Sequence, residues 1–308
     1  MSKLRAGVVG AGAFGRHHAR KYVEDPRVSL TGVCDRNDER AQMLADTHHV
    51  DPFYELEPLL EGVDILTIAT PPSEHAGIAR RALEAGKHVL IEKPLATDPK
   101  DGAELVRLAH ENKLMLACGH QERLVFEAMG LLGTPEKPTR IESVREGPWT
   151  GRSADVSVTL DLMVHDLDLA LQLMKARPSG ILATAKREQR RTADCVEARL
   201  AFAPHAEAVF ISSRIAPERR RFMRAVYPSG EVNIDFLART FENTTDFPLN
   251  AAFAETRIGS DPLGANVAHF IDAVLGVAPR PAVTGEEALA VLELALDVDR
   301  ASGLPSLS

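Results

Sequence analysis

Near its start the chain reads Leu4-Arg5-Ala6-Gly7-Val8-Val9-Gly10-Ala11-Gly12-Ala13-Phe14-Gly15. The last six residues match G-x-G-x-x-G, directly after a predicted strand and at the start of a helix predicted from about Ala13 to Glu24. There the first glycine permits a tight turn, the second lets a pyrophosphate approach, and the third lets helix and strand pack closely. The turn therefore predicts a dinucleotide site that includes Gly10, Gly12, Ala13, Phe14 and Gly15.

An acidic residue follows this turn at the spacing that a dinucleotide site requires. Asp35 stands 20 residues after Gly15, at the end of the second predicted strand, Val28–Cys34. A carboxylate there would accept both ribose hydroxyls and would repel a 2′-phosphate, which favours NAD over NADP. Arg36 keeps NADP open as an alternative, because it either stacks on adenine or holds the phosphate when Asp35 turns aside.

The order of the predicted elements indicates the fold class. Strands and helices alternate up to Gly119, which predicts a doubly wound parallel sheet. From Ile181 to Phe241 strand-like runs follow one another through short turns, which predicts a mainly antiparallel sheet. We therefore expect an α/β chain with a Rossmann domain over 1–119 and an α+β domain with an open sheet over 120–308. A length of 308 residues agrees with two domains of about 150 residues each.

Composition and spacing argue against several classes of partner. A net charge of −8 does not suit nucleic acid or an anionic membrane. No apolar run approaches the ~18 residues of a membrane span, and the start lacks a secretory pattern, so we expect a cytoplasmic protein. Cys34, Cys118 and Cys195 lie far apart, which predicts neither disulfides nor a thiolate metal site. His165 and its neighbouring aspartates lack a third well-spaced ligand, so we expect no metal. The run Arg219–Arg221 is interpreted as a sheet or oligomer edge rather than an anion site.

Three polar residues are candidates for the chemistry. Lys93 follows the predicted strand His88–Ile91, at the strand end where open parallel sheets bind ligands. It would stabilise negative charge or act as an acid or base, unless it is a solvated loop lysine. Asp161 and His165 are four residues apart on a helix predicted over Leu160–Met174 and so share one face. A carboxylate that orients an imidazole makes a general base for an alcohol; a plain surface pair is the alternative.

Five segments together resemble the Gfo/Idh/MocA oxidoreductases, a family that includes glucose-fructose oxidoreductase and inositol dehydrogenase. They are the Gly10–Gly15 turn, Ala69-Thr70-Pro71-Pro72 with His75, Gly86-Lys87-His88-Val89 leading into Glu92-Lys93-Pro94, Asp161-x-x-x-His165, and Val283-Thr284-Gly285-Glu286-Glu287-Ala288. The resemblance implies hydride transfer between a sugar-like secondary alcohol and a nicotinamide. It also implies catalytic roles for Lys93, Asp161 and His165, and a homodimer or homotetramer formed through the open sheet. The cofactor contacts that it implies are Thr70, Pro71, His75, Glu92 and Lys93.

A narrower likeness is to the short members of this family, which act as UDP-N-acetylglucosamine 3-dehydrogenases. It rests on Gly119-His120-Gln121-Glu122-Arg123, Arg145-Glu146-Gly147-Pro148 and the surroundings of Asp161. It implies oxidation of a nucleotide sugar at C3, with substrate contacts from Lys93, His120, Arg123, Trp149, Arg152, Asp161 and His165. Arg123 and Arg152 suit a diphosphate, with structural salt bridges as the alternative, and Trp149 suits a sugar ring or the core.

The substrate stays open at one position of this likeness. Such enzymes usually follow the arginine with Phe-Asn-Pro, where this chain has Leu124-Val125-Phe126. An inositol or free-sugar dehydrogenase is therefore the alternative within the same class. A regulatory protein that senses NAD without catalysis is the alternative from another class.

Overall fold

The computed structural model describes residues 2–151, 153–188 and 191–307. Its strands are β1 Leu4–Val9, β2 Val28–Cys34, β3 Asp51–Phe53, β4 Ile65–Ile68, β5 His88–Ile91, β6 Leu116–Cys118, β7 Arg140–Glu146, β8 Gly180–Lys186, β9 Cys195–Phe202, β10 Ala206–Ser213, β11 Arg220–Tyr227, β12 Gly230–Asp235 and β13 Thr240–Asn243. Its α-helices are α1 Ala13–Glu24, α2 Asp38–His48, α3 Leu56–Gly62, α4 Pro72–Glu84, α5 Pro99–Glu111, α6 Glu122–Met129, α7 Val164–Met174, α8 Arg257–Ser260, α9 Pro262–Val274 and α10 Gly285–Ser302.

The chain divides into two compact units, and the division differs from the predicted boundary. The first unit runs to Gln121 and also contains Asp261–Leu289, a segment that we expected in the second domain. The reason is apolar packing: on α9, Val267, Phe270 and Ile271 lie in one buried cluster with residues of β1, β2 and α1. The local sequence does not show this, because an amphipathic helix does not reveal which sheet its apolar face covers.

The first unit is built on a six-stranded parallel sheet in the order β3-β2-β1-β4-β5-β6. The strand order reverses between β1 and β4, and sheets of this kind bind ligands beyond the carboxyl ends of the strands at that point. Val8 of β1 and the successive residues Ile65 and Leu66 of β4 are fully buried, as expected for strands covered by helices on both faces. The predicted Rossmann domain is confirmed.

Two short elements of this unit were not predicted. Strand β3 has only three residues, one of them Pro52, and it pairs with β2 at the sheet edge. Helix α3 follows it, with Leu56, Leu59 and Leu60 buried. A three-residue strand that contains proline carries too little periodicity to be recognised from sequence.

The second unit is built on a seven-stranded sheet in the order β13-β12-β11-β7-β10-β9-β8. All neighbouring strands are antiparallel except β7 and β10, which run parallel, so the predicted mainly antiparallel sheet is confirmed. Residues alternate along β9: Val196, Ala198 and Leu200 are buried, whereas Glu197 and Arg199 are exposed. One face of the sheet is therefore covered and the other is open.

The order of the strands corrects the interpretation of Arg219–Arg221. Strand β11 begins at Arg220 and lies between β12 and β7, so it is an interior strand. The interpretation of these arginines as a sheet edge is wrong, because β7, which pairs with β11 on the side away from the hairpin partner β12, comes from a distant part of the sequence.

The helix predicted over Leu160–Met174 is also different in detail. It begins with a π-helical turn at Thr159–Met163 and becomes α-helical only from Val164. Isolated π-helical turns occur frequently at functional sites. None of the helices within the described ranges is both long and apolar enough to cross a membrane.

Candidate active site

The glycine-rich turn joins β1 to α1, and its three glycines have different surroundings. Gly10 has a φ of +97°, and a Cβ atom there would lie 2.6 Å from the carbonyl oxygen of Ala69. A Cβ atom on Gly15 would lie 1.7 Å from the carbonyl oxygen of Gly10. A Cβ atom on Gly12, the N-cap of α1, would meet nothing within 4 Å. Gly10 and Gly15 are therefore required by packing, whereas Gly12 leaves open space at the helix N-terminus.

Asp35, at the end of β2, ties this turn to the sheet. Its carboxylate accepts hydrogen bonds from the backbone N–H groups of Ala11 at 2.7 Å and Asn37 at 2.8 Å. Each carboxylate oxygen has further lone pairs, so Asp35 can still accept ribose hydroxyls. Arg36 points away from it and forms an exposed ion pair with Glu74 at 2.7 Å.

The loops that follow β4 and β5 are joined by His75. The buried imidazole lies 3.0 Å from the carbonyl oxygen of Thr70 through Nε2 and 2.7 Å from that of Pro94 through Nδ1. His75 therefore fixes the loop that carries Lys93 rather than facing outward. The hydroxyl of Thr70 is buried and finds no hydrogen-bond partner among the described residues.

Lys93 stands on a buried polar cluster. The carboxylate of its neighbour Glu92 lies 2.7 Å from Nε2 of His18 and accepts a hydrogen bond from Gln121 at 3.1 Å. Burial alone would raise the pKa of Glu92, but the hydrogen bond and charge of His18, together with Lys93, lower it overall. Gly119 leaves the room that this carboxylate needs, because a Cβ atom there would lie 2.9 Å from it. Lys93, which is half-buried, thus directly follows a residue whose carboxylate is ionised and held in place by hydrogen bonds.

These features fit NAD. The open space above Gly12 at the N-terminus of α1 suits a pyrophosphate, because the N–H groups of the first helical turn face it. Asp35 suits the ribose, and the Thr70 hydroxyl lacks a partner that a bound ligand would supply. That Gly10, Gly12, Ala13, Phe14, Gly15, Asp35 and Thr70 contact the cofactor stays a prediction.

In the second unit, Asp161 and His165 lie on either side of the change from π-helix to α-helix. Asp161 belongs to the π-helical turn and His165 to the first turn of α7, and both are half-buried. The segment is therefore not a regular α-helix as predicted, but residues four apart lie on about the same side of a π-helical turn as well, so the shared face stays a prediction.

The π-helical turn is held in place by a buried hydroxyl. Ser157 accepts a hydrogen bond from the N–H of Leu160 at 3.2 Å and donates one to Asp299 of α10 at 2.7 Å. Burial raises the pKa of Asp299, and the hydrogen bond from Ser157 only partly opposes this. Ser157, two residues before the turn, is thereby bonded to α10, and Asp161 is carried on a rigid segment.

The residue that follows His165 is buried in an ion-pair cluster. Asp166 accepts two hydrogen bonds from Arg145, at 3.0 Å and 2.9 Å, and Arg145 also donates to Glu122 at 3.0 Å. Burial raises the pKa of Asp166, and the charge of Arg145 offsets part of that shift. This cluster was not predicted, because its three members come from α6, β7 and α7.

Arg123 forms the salt bridge that the sequence left open as the alternative to a contact with a diphosphate. Its guanidinium is buried and forms a two-pronged ion pair with Asp168 of α7, with Nε 3.2 Å from Oδ2. The Asp168 carboxylate engages Nε and Nη2 of the guanidinium, so the salt bridge is present, and the contact with a diphosphate stays a prediction.

The other predicted substrate residues fall in different places. Trp149 is half-buried, and its ring packs against the guanidinium of Arg214 at 4.8 Å, which is itself paired with Asp194 at 2.8 Å. His120 is buried directly after β6 in the first unit. Arg152 lies outside the described residues. Within the described ranges, no group of three or more His, Cys, Asp or Glu residues could hold a metal ion.

Family comparisons agree with both halves of the chain. Residues 4–120 match the family described as "Oxidoreductase family, NAD-binding Rossmann fold", and residues 133–233 match the GFO/IDH/MocA C-terminal domain. A UDP-N-acetylglucosamine 3-dehydrogenase of Acidithiobacillus ferrooxidans is 37% identical over 242 residues, which cover 78% of this chain and 76% of the relative.

Solved structures agree over the full length. The structure of the A. ferrooxidans UDP-N-acetylglucosamine 3-dehydrogenase superposes with a TM-score of 0.88 at 34% identity, covering 98% of both chains. The dehydrogenase WlbA of Bordetella pertussis, solved with NADH and UDP-GlcNAcA, shares the fold alone, with a TM-score of 0.87, 22% identity, and coverage of 100% of this chain and 99% of that one. The predicted oxidoreductase class and NAD cofactor are thereby confirmed, and the chain belongs to the Gfo/Idh/MocA family of oxidoreductases with an NAD-binding Rossmann fold.

Proposed function

We propose that this chain is an NAD-dependent dehydrogenase that oxidises the C3 hydroxyl of UDP-N-acetylglucosamine. The observation that carries the proposal is the 37% identity to an enzyme of that activity over more than three quarters of both chains. Lys93, Asp161 and His165 supply the polar groups that the reaction needs. A homodimer or homotetramer in the cytoplasm remains the prediction for assembly and location.

His165 acts as the general base. Its imidazole takes the proton of the C3 hydroxyl, and Asp161 holds the ring in position and stabilises the charge that the ring gains. A positioned base of this kind contributes about 10²- to 10⁴-fold to the rate. The buried pair of Asp166 with Arg145 anchors the first turn of α7 next to His165, so the ring is carried on a fixed backbone.

Lys93 stabilises the oxygen from which the proton leaves. Its ammonium group donates a hydrogen bond to the developing alkoxide, an interaction that is stronger in the transition state than in the ground state. A preorganised donor of this kind contributes about 3 kcal/mol. Bound NAD⁺ supplies the acceptor for the hydride that leaves C3, and C3 becomes a ketone as the C–H and O–H bonds break.

The test is a substrate comparison with the purified protein. We expect NADH to appear, followed at 340 nm, with UDP-N-acetylglucosamine and NAD⁺, and the product to carry a ketone at C3 by mass spectrometry and NMR. Myo-inositol and free N-acetylglucosamine are the matched controls and should react at least about 100-fold more slowly in kcat/KM. Faster turnover of inositol or a free sugar contradicts the proposal, as does tight NAD binding with no turnover of any of these substrates.

A further inference from the structure

One arginine of the second unit is partly buried, and none of the described residues serves as its counter-ion. Arg221 lies on β11, directly opposite Arg145 on the neighbouring strand β7. Residues that face each other on adjacent strands point to the same side of the sheet. Arg145 bonds to Asp166 of α7, so Arg221 lies on the covered face of the sheet rather than on its open face. Its neighbour Arg220 points to the other side and pairs with Glu146 at 3.6 Å.

The charges around Arg221 do not balance. Arg145, Arg219 and Arg221 are the three nearby cations, and Glu122 and Asp166 are the two nearby anions. Both carboxylates bond to Arg145, at 2.9 to 3.0 Å. Among the described residues, neither a carboxylate nor any other hydrogen-bond acceptor contacts the guanidinium of Arg221.

Burial and neighbouring positive charge both disfavour the charged form of the Arg221 guanidinium. Burial, followed by the positive charge of Arg145, lowers the pKa of Arg221, whereas Glu122 partly opposes the shift. A guanidinium stays protonated at neutral pH even so, because its ordinary pKa lies far above 7. A charged group that is partly removed from water without a partner costs free energy, and an anionic ligand would offset that cost.

We propose that Arg221 binds the diphosphate of the nucleotide-sugar substrate, a proposal that rests on the function proposed above. A guanidinium presents several N–H donors in one plane, which suits the paired oxygens of a phosphoryl group. The location agrees, because Asp166, whose charge acts on Arg221, directly follows the proposed base His165 in the chain. Arg219 extends the positive region to the surface, and its side chain lies over Gly147, where a Cβ atom would come within 3.2 Å of it.

The diphosphate is favoured over a purely structural role by the position of β11. An arginine that served packing alone would have a carboxylate or carbonyl partner, as Arg145, Arg123 and Arg214 have in the same unit. Arg221 has no such carboxylate or carbonyl partner among the described residues, although β11 is an interior strand. Because its charge is unpaired, we expect Arg221→Gln to melt at or above the temperature of the wild-type protein.

The experiment compares Arg221→Gln and Arg221→Lys with Arg220→Gln as the matched control. Calorimetry with UDP and with uridine measures whether the diphosphate is recognised, and it does not depend on turnover. We expect Arg221→Gln to weaken UDP binding about 10- to 100-fold and to leave uridine and NADH binding within about twofold. Arg221→Lys should recover part of the UDP affinity, because it restores the charge without the planar donors. Arg220→Gln should behave like the wild-type protein.

Two results would overturn the assignment. One is UDP binding that Arg221→Gln leaves unchanged, or that the wild-type protein does not show. The other is an equal loss of UDP and uridine affinity together with a lowered Tm, which would make Arg221 structural. Failure of the proposed function is distinguishable from failure of this assignment. In that case the wild-type protein would bind UDP through Arg221 but would not oxidise UDP-N-acetylglucosamine.

Discussion

The two units build their functional residues in different ways. In the first unit the proposed cofactor site is built around a glycine-rich turn and a helix N-terminus that are close in sequence, with the Asp35 carboxylate and the Thr70 hydroxyl beside the ends of other strands. In the second unit the candidate catalytic residues stand on a helix that is fixed by buried ion pairs such as Arg145 with Asp166 and Arg123 with Asp168. The comparison shows that a site built around glycines depends on the absence of side chains, whereas an ion-pair scaffold depends on partners that are distant in sequence.

The largest stability effect is expected in the second unit. Asp166→Asn removes one partner of a fully buried pair and leaves Arg145 with only Glu122. Breaking a buried ion pair from one side costs about 3–5 kcal/mol. Urea unfolding should therefore show a large fall in the free energy of unfolding.

The matched control is the surface pair of Arg220 with Glu146. Glu146→Gln removes a carboxylate from a pair 3.6 Å long with a largely exposed arginine. Such pairs contribute less than about 1 kcal/mol. Equal effects of Asp166→Asn and Glu146→Gln would show that the buried cluster does not support α7.

In the first unit the glycines separate folding from cofactor binding. Gly15→Ala places a Cβ atom 1.7 Å from the carbonyl oxygen of Gly10, so it should destabilise the protein by about 1–3 kcal/mol. Gly12→Val meets no protein atom at its Cβ position, so it should leave the Tm nearly unchanged and raise the Kd for NADH at least about 10-fold. Fluorescence titration with NADH and thermal melting measure the two effects. Unchanged NADH affinity in Gly12→Val would exclude a pyrophosphate at this turn.

A smaller effect concerns acid sensitivity and Glu92. The pKa of Glu92 is lowered in the folded protein relative to its ordinary value of 4.5. A depressed carboxyl pKa stabilises the fold above the unfolded pKa, and this contribution is lost as the pH falls through the folded pKa. We therefore expect the wild-type protein to lose more stability than Glu92→Gln between about pH 5 and pH 3, measured by urea unfolding at each pH. Equal losses of the free energy of unfolding in the two proteins would show that the Glu92 carboxylate is not ionised beside His18.

The same contrast explains how much could be predicted from the sequence. The glycine turn, Asp35 and Lys93 follow local rules of strand, turn and helix, and the structure places them at the strand ends as expected. The sequence could not show whether Arg123 contacts the substrate or forms a salt bridge, because its partner Asp168 lies 45 residues away. The π-helical turn at Asp161 and the unpaired charge of Arg221 depend on the packing of the whole unit, which no local pattern contains.

The central claim is that Lys93 and His165 act on the same hydroxyl in one chemical step. The direct test is a double-mutant cycle in kcat/KM with UDP-N-acetylglucosamine, using Lys93→Met, His165→Asn and the double variant. We expect each single variant to lose about 10²- to 10⁴-fold with NADH affinity and Tm retained, and the double variant to be about as slow as the slower single variant, because groups that act as a unit are not additive. Losses that multiply in the double variant, or near-normal turnover in either single variant, would contradict the account.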